Sequence, residues 1–234
     1  MLESDMRGLS PDDAIRQHIK DIKKELHAFM NGVASSSMRN NGIDGYRVIF
    51  GVDVVRLKEL ASEYGKNHAL AQELWKESVR ECKILATMIQ PVESFYPEIA
   101  DIWVSDIKTQ EMAEQACMNL FQFLPYASEK AFEWMADERV FVQMCGFLLC
   151  IHIMRRAEFN DSSLNEFVDQ ALASFHTDST SLKKVVWRSM SNFAELSADN
   201  ARKLRECMIG YGWDKDENLK PYVDYIADFA KEEV

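Results

Sequence analysis

Apolar residues return every three to four positions along nearly the whole chain, and no stretch alternates with a period of two. That regularity confines the fold to helices packed on helices. A strand needs a period-two face to bury, and none is offered. The periodic runs are short and frequently interrupted, so the expected architecture is many short helices. Breaks are marked by Gly65, Pro91, Pro97, Pro125, Asp137, Asp161, Asp178, Gly210, Gly212 and Pro221.

The first helix is signalled by Ser10-Pro11-Asp12-Asp13: a capping serine, proline at the first helical position and acids in the first turn. It places Ile15, Ile19, Ile22, Leu26 and Phe29 on one face and ends at Asn31-Gly32. The following stretch ASSSMRNNGIDGYR is rich in Ser, Asn and Gly and reads as a mobile linker. Beyond it the periodicity predicts helices over 53–64, 67–76, 78–90, 96–107, 109–124, 127–136, 138–156, 163–176, 180–194, 197–210 and 221–232.

Short helices in unbroken succession suggest repeats. A faint one starts at Val79-Arg80-Glu81-Cys82, Ala113-Glu114-Gln115-Ala116, Val142-Gln143-Met144-Cys145 and Leu182-Lys183-Lys184-Val185. Its polar positions 80, 114, 143 and 183 are 34, 29 and 40 residues apart, an irregular period that degenerate HEAT-like repeats show. The predicted fold class is all-α, a curved α-α superhelix of HEAT-like repeats in a single domain over 1–234. Residues 211–234 form its acidic C-terminal helix, and the repeated polar positions lie along one concave groove.

Length and composition fit that reading. At 234 residues with 47% hydrophobic and 28% charged residues, the chain can bury a sizeable core and is not disordered. No run of about 18 apolar residues could span a membrane, and MLESDMRGLS carries no apolar signal region. Five scattered helix-borne cysteines, none in a CxxC pair, fit reduced thiols in a cytoplasm. The net charge of −11 counts against nucleic acid as a bulk property. It is concentrated at the ends, however: Trp213–Val234 holds seven acids against three lysines, and Met1–Asp13 four acids against one arginine. A local basic stripe remains open in between.

Several stretches together resemble the DNA alkylation repair family of HEAT-like proteins, the AlkD-like DNA glycosylases. They are FGVDVVRLKELASEYGKNHALAQELW (50–75), ESVRECKILATMI (77–89), WVSDIKTQEMAEQACMNLF (103–121), EKAFEWMADERVFVQ (129–143) and SLKKVV (181–186). The resemblance covers roughly residues 15–210. It implies a C-shaped solenoid, a C-shaped array of antiparallel helix pairs cradling duplex DNA on its concave face. Active members cleave the glycosidic bond of cationic N3- or N7-alkylated purines, stabilising positive charge on the sugar and placing a water. They use an aspartate flanked by two tryptophans and an arginine, with neither cofactor nor metal.

That set carries over in part. Where the family has a pattern like Ser-Trp-Asp-x-x-Asp, this chain has Thr109-Gln110-Glu111-Met112-Ala113-Glu114. The tryptophan is thus Gln110, and the catalytic aspartate is Glu114. The family arginine falls on Met144, and the second tryptophan on Arg188, with Trp187 next door. Glu114 lies in EMAEQACMNLFQFL (111–124), on the face opposite the apolar stripe of an amphipathic helix. It is either the catalytic carboxylate or a solvated helix residue. Arg80, Lys83, Lys183, Lys184 and Arg188 read as phosphate contacts or as solvated faces, with Gln110, Gln143, Met144 and Trp187 beside them. Arg155-Arg156 is explained by a helix C-terminus. Trp75, Trp103 and Trp134 read as core. The histidines lack metal-ligand spacing.

The resulting expectation is a divergent, monomeric AlkD-like protein that binds duplex DNA and excises cationic alkylpurines through an altered site. The alternative is a non-catalytic HEAT-repeat scaffold for a protein partner or for branched nucleic acid.

Overall fold

The computed structural model describes residues 10–43, 45–156 and 161–231. It divides into two compact units, Met1–Leu124 and Pro125–Val234. The described residues form thirteen α-helices and three 3-10 turns, and their only β-type pairing is one isolated parallel bridge between Val48 and Val79. The all-α reading is therefore correct. The N-terminal nine residues, Asp44 and the expected end of the last helix at 232 lie outside the described residues.

The N-terminal unit contains α1 (Pro11–Ala28), α2 (Gly32–Asn40), α3 (Val54–Tyr64), α4 (His68–Lys76), α5 (Arg80–Ile89), α6 (Pro97–Ser105) and α7 (Gln110–Asn119). Side chains written into the sequence start most of them. Ser10, Asn31, Asp53, Asn67 and Thr109 each accept a hydrogen bond from a backbone N–H of the first turn of the helix that follows. α5 is buried nearly all round and packs on α3, α4 and α7. Beside it Trp75 and Trp103 stack with ring centres 4.1 Å apart, and Phe95 meets Trp103 edge-on.

Much of the stretch expected to be a loose linker is helical. Asn31 accepts from Ala34 N at 3.0 Å and opens α2, and Ser35 Oγ donates to Ile49 O at 2.7 Å. Composition misled here because serine and asparagine favour caps as well as loops. The segment after α2 is held down by buried Tyr46, Ile49 and Val52. Gly51 makes the closest approach: its φ is +75°, and a Cβ there would lie 2.4 Å from Asn31 O and 2.7 Å from Ser35 N. The helix expected over 109–124 stops earlier. α7 ends at Asn119 and a 3-10 turn, Phe121–Phe123, carries the chain to Pro125.

The C-terminal unit contains α8 (Ala127–Met135), α9 (Val140–Arg155), α10 (Asp161–Ser174), α11 (Thr180–Glu195), α12 (Ala198–Gly210) and α13 (Lys220–Phe229). α9 is its central element, apolar on every side, packed against α8 and α11. Gly146 allows α8 to come close. A Cβ on it would meet Met135 N at 2.4 Å and Ala131 O at 2.8 Å. All five cysteines are free, four of them buried, and Trp75, Trp103 and Trp134 are core residues as expected. No helix among the described residues is long and apolar enough to cross a membrane.

Candidate nucleic-acid interface

In the N-terminal unit the expected site residues cluster around α5 and α7. Glu114 is half-buried on α7, and the Gln110 amide, one turn earlier, donates to its Oε1 at 3.2 Å. This is the i, i+4 geometry expected of two side chains on one helix face. An amide holds the carboxylate's direction but adds no aromatic wall.

Arg80 is only 1% exposed, which corrects its reading as a surface phosphate contact. Its guanidinium grips Glu111 with two hydrogen bonds, 2.8 Å from Nε and 2.5 Å from Nη2. Its Nη1 donates to Glu81 Oε1 at 2.9 Å and to Val52 O at 3.3 Å. Glu81, fully buried, also accepts from Phe50 N and Gly51 N at 3.1 and 2.9 Å. The polar repeat position at 80 is therefore a structural clamp that fastens the 50–52 segment to α5 and α7. Periodicity located the residue but not its partners. Lys83 is constrained too. Its ammonium donates to Trp75 O at 2.6 Å, pairs with Asp106 and lies 4.5 Å from the centre of the Trp75 ring.

In the C-terminal unit, Met144 is fully buried and is a core residue of α9, so its reading as a surface contact is also corrected. Gln143 spans two elements, donating to Met135 O at 2.9 Å and to Ser174 Oγ at 3.2 Å. Lys183 lies 4.6 Å from the centre of the Phe175 ring. Trp187, one turn on, packs edge-on against Tyr222 and Tyr225 of α13, with ring centres 4.6 and 5.5 Å away. The 183/187 edge of α11 therefore faces α13, while Lys184 and Arg188 are exposed along another edge.

Arg188 has neighbours that the sequence did not connect to it. The C-terminal end of α9 brings Arg155 and Arg156, both exposed, to the same face. Arg155 bonds Asn192 Oδ1, and Asn192 donates to Arg188 O at 2.9 Å. His152 reports the crowding. Burial first, and then the positive charges of Arg155, Arg156 and Arg188, hold its pKa below the ordinary value. Packing of α9 on α11, with their C-terminal ends side by side, makes this cluster, and it could have been anticipated only by pairing those two helices in advance. Among the described residues no group of three His, Cys, Asp or Glu side chains could hold a metal ion.

The chain matches the family of DNA alkylation repair enzymes over residues 22–180. It belongs to that family. No curated protein matches it. A solved structure does, described as a new family of proteins related to the HEAT-like repeat DNA glycosylases with affinity for branched DNA structures. It is 18% identical, covers 80% of each chain and superposes with a TM-score of 0.72. That likeness establishes the fold as HEAT-like. Of the positions at which the resemblance leads one to expect the family's chemistry, Glu114 is a half-buried carboxylate and Met144 an apolar core residue.

Proposed function

We propose that this DNA alkylation repair family member binds DNA through sequence-independent phosphate contacts, and that the exposed C-terminal end of α9 and the exposed edge of α11 supply them. The observation that carries this reading is the convergence of Arg155, Arg156 and Arg188 around His152, with Lys184 one turn before Arg188. Cations gathered on one exposed face attract a polyanion. A protein partner would have to supply an acidic surface for the same face. Glu114, with Gln110 beside it and no arginine at 144, supports at most slow excision. A carboxylate that stabilises an oxocarbenium-like sugar depends on fixed walls and a dry site.

The test is a binding titration of labelled duplex and four-way-junction DNA across salt concentrations, run beside an assay of methylated-base release. Three or four phosphate contacts give a log–log salt slope of roughly −3 to −4 on duplex. Lys184→Ala and Arg188→Ala should each reduce its magnitude by about one. Equal affinity for both DNA forms supports plain duplex binding, and stronger junction binding supports recognition of branched DNA. No binding to either refutes the reading and favours a protein scaffold. Base release above the spontaneous rate, abolished by Glu114→Gln, would instead establish that the excision chemistry persists.

A further inference from the structure

The turn between α4 and α5 carries a small polar recess that none of the foregoing explains. It has a volume of about 150 Å³ and is lined by Gly45, Tyr46, Lys76, Glu77, Ser78, Lys83, Asp106 and Lys108. A water's share of liquid volume is about 30 Å³, so the space suits one tetrahedral oxyanion with a little water and nothing much larger.

Its donors are arranged for such a guest. An ammonium has three N–H donors. Lys83 gives one to Trp75 O and one to Asp106, which leaves the third for the recess, on a side chain that the Trp75 ring already fixes. Ser78 Oγ accepts from Arg47 N at 3.1 Å, so its own proton remains available to donate. Lys108 is exposed at the mouth, and Lys76, in the last turn of α4, pairs with Glu73 at 2.5 Å. The two acids of the lining are already engaged: Glu77 pairs with Lys23 at 2.7 Å, and Asp106 with Lys83. Tyr46 stays neutral, because burial pushes its phenol up to about 12. A compact point charge on a flexible stem is suited to an oxyanion approached from several directions.

We infer that this recess is a phosphate seat, with Lys83, Ser78 and Lys108 as its donors. The phosphate is a backbone phosphate of bound DNA or a free phosphate. The first source rests on the DNA-binding reading, and the second does not.

The experiment uses the full chain in two arms: calorimetric titration with inorganic phosphate, and salt-dependent titration with labelled duplex DNA. The variants are Lys108→Ala and Ser78→Ala, with Lys108→Arg as a charge-preserving control. Both altered residues are exposed, so the fold is not at stake. Lys108→Ala should weaken phosphate binding about tenfold, the loss of one charge-assisted contact. It should also reduce the magnitude of the DNA salt slope by about one, and Lys108→Arg should restore both. Loss in the phosphate arm alone keeps the seat and assigns it to free phosphate. If the wild-type chain binds phosphate but no DNA, the DNA-binding reading fails while the seat stands. If the wild-type chain binds no phosphate in the millimolar range, and Lys108→Ala leaves DNA binding unchanged, the inference is overturned.

Discussion

Replacing Arg80 with alanine should cost the N-terminal unit about 3–5 kcal/mol, the usual penalty for removing one partner of a buried ion pair. The structure locates that cost. Glu81 is fully buried, and without Arg80 its charge would be compensated only by the Phe50 and Gly51 amides. Val52 O loses its guanidinium donor, and a large side chain leaves a void. Glu111 suffers least, because 23% of its side chain reaches solvent and can be rehydrated. The sum should lower the melting temperature by roughly 6–20 °C, taking 2–4 °C per kcal/mol for a chain of this size. Urea denaturation followed by tryptophan fluorescence reads the change directly. The double variant Arg80→Ala/Glu111→Ala should be less destabilised than the two single losses added together, with a coupling of about 1–3 kcal/mol. DNA binding is the second readout. A clamp predicts an unchanged salt slope at temperatures where the variant is folded, whereas a phosphate contact predicts a shallower slope and intact stability. A loss below about 1 kcal/mol, which is what exposed pairs give, would refute the burial argument.

Gly146→Ala should destabilise the C-terminal unit by about 1–3 kcal/mol or more, because the added methyl meets the backbone of Ala131 and Met135, which cannot rotate away; thermal denaturation reads it. Asn31→Ala should cost about 1 kcal/mol by uncapping α2, and hydrogen exchange should show faster opening of the Ala34 amide. Burial, and then the neighbouring arginines, hold the pKa of His152 in the folded chain below its ordinary value of about 6.5. As pH falls through that value the unfolded chain takes up a proton that the folded chain resists. Stability should therefore drop as pH falls below about 7, and His152→Gln should flatten the profile. DNA phosphates on the same face would favour the protonated form, so affinity should rise over that interval in the wild-type chain and much less in the variant.

The fold was legible because its signals are local. A 3.6-residue period, capping residues such as Ser10 and Thr109, and prolines at helix starts act over a few positions and need no knowledge of the rest of the chain. The loose reading of residues 34–47 failed where a local signal was ambiguous. Serine and asparagine also cap helices, and what decided the matter was a distant contact, Ser35 to Ile49. The site was less legible for the same reason. Position 80 was correctly marked as polar and recurrent, but its partners Glu81 and Glu111 follow from how α5 packs on α7. Arg155 and Arg156 looked like ordinary ends of a helix until α11 brought Arg188 beside them.

A net charge of −11 does not by itself oppose a polyanionic partner. Some of the described acid is paired with a cation three or four residues away. On α13 Asp224 pairs with Lys220 at 2.9 Å, and beyond it Asp228 pairs with Lys231 at 2.7 Å. Such exposed i, i+3 and i, i+4 pairs add little stability, but they shorten the reach of each negative charge from a monopole to a dipole. At physiological salt the remaining field decays over about 8 Å, so a phosphate arriving at Lys184 and Arg188 responds mainly to the cations beside it. At low salt the screening length grows and the acidic ends of the chain are felt at a distance. Association should then gain less from dilution of salt than a uniformly basic protein with the same contacts would. A log–log plot that bends over below about 0.01 M salt, where the screening length approaches 30 Å, would be the signature of that competition. A plot that stays straight would mean that the acidic ends lie beyond the reach of the bound DNA.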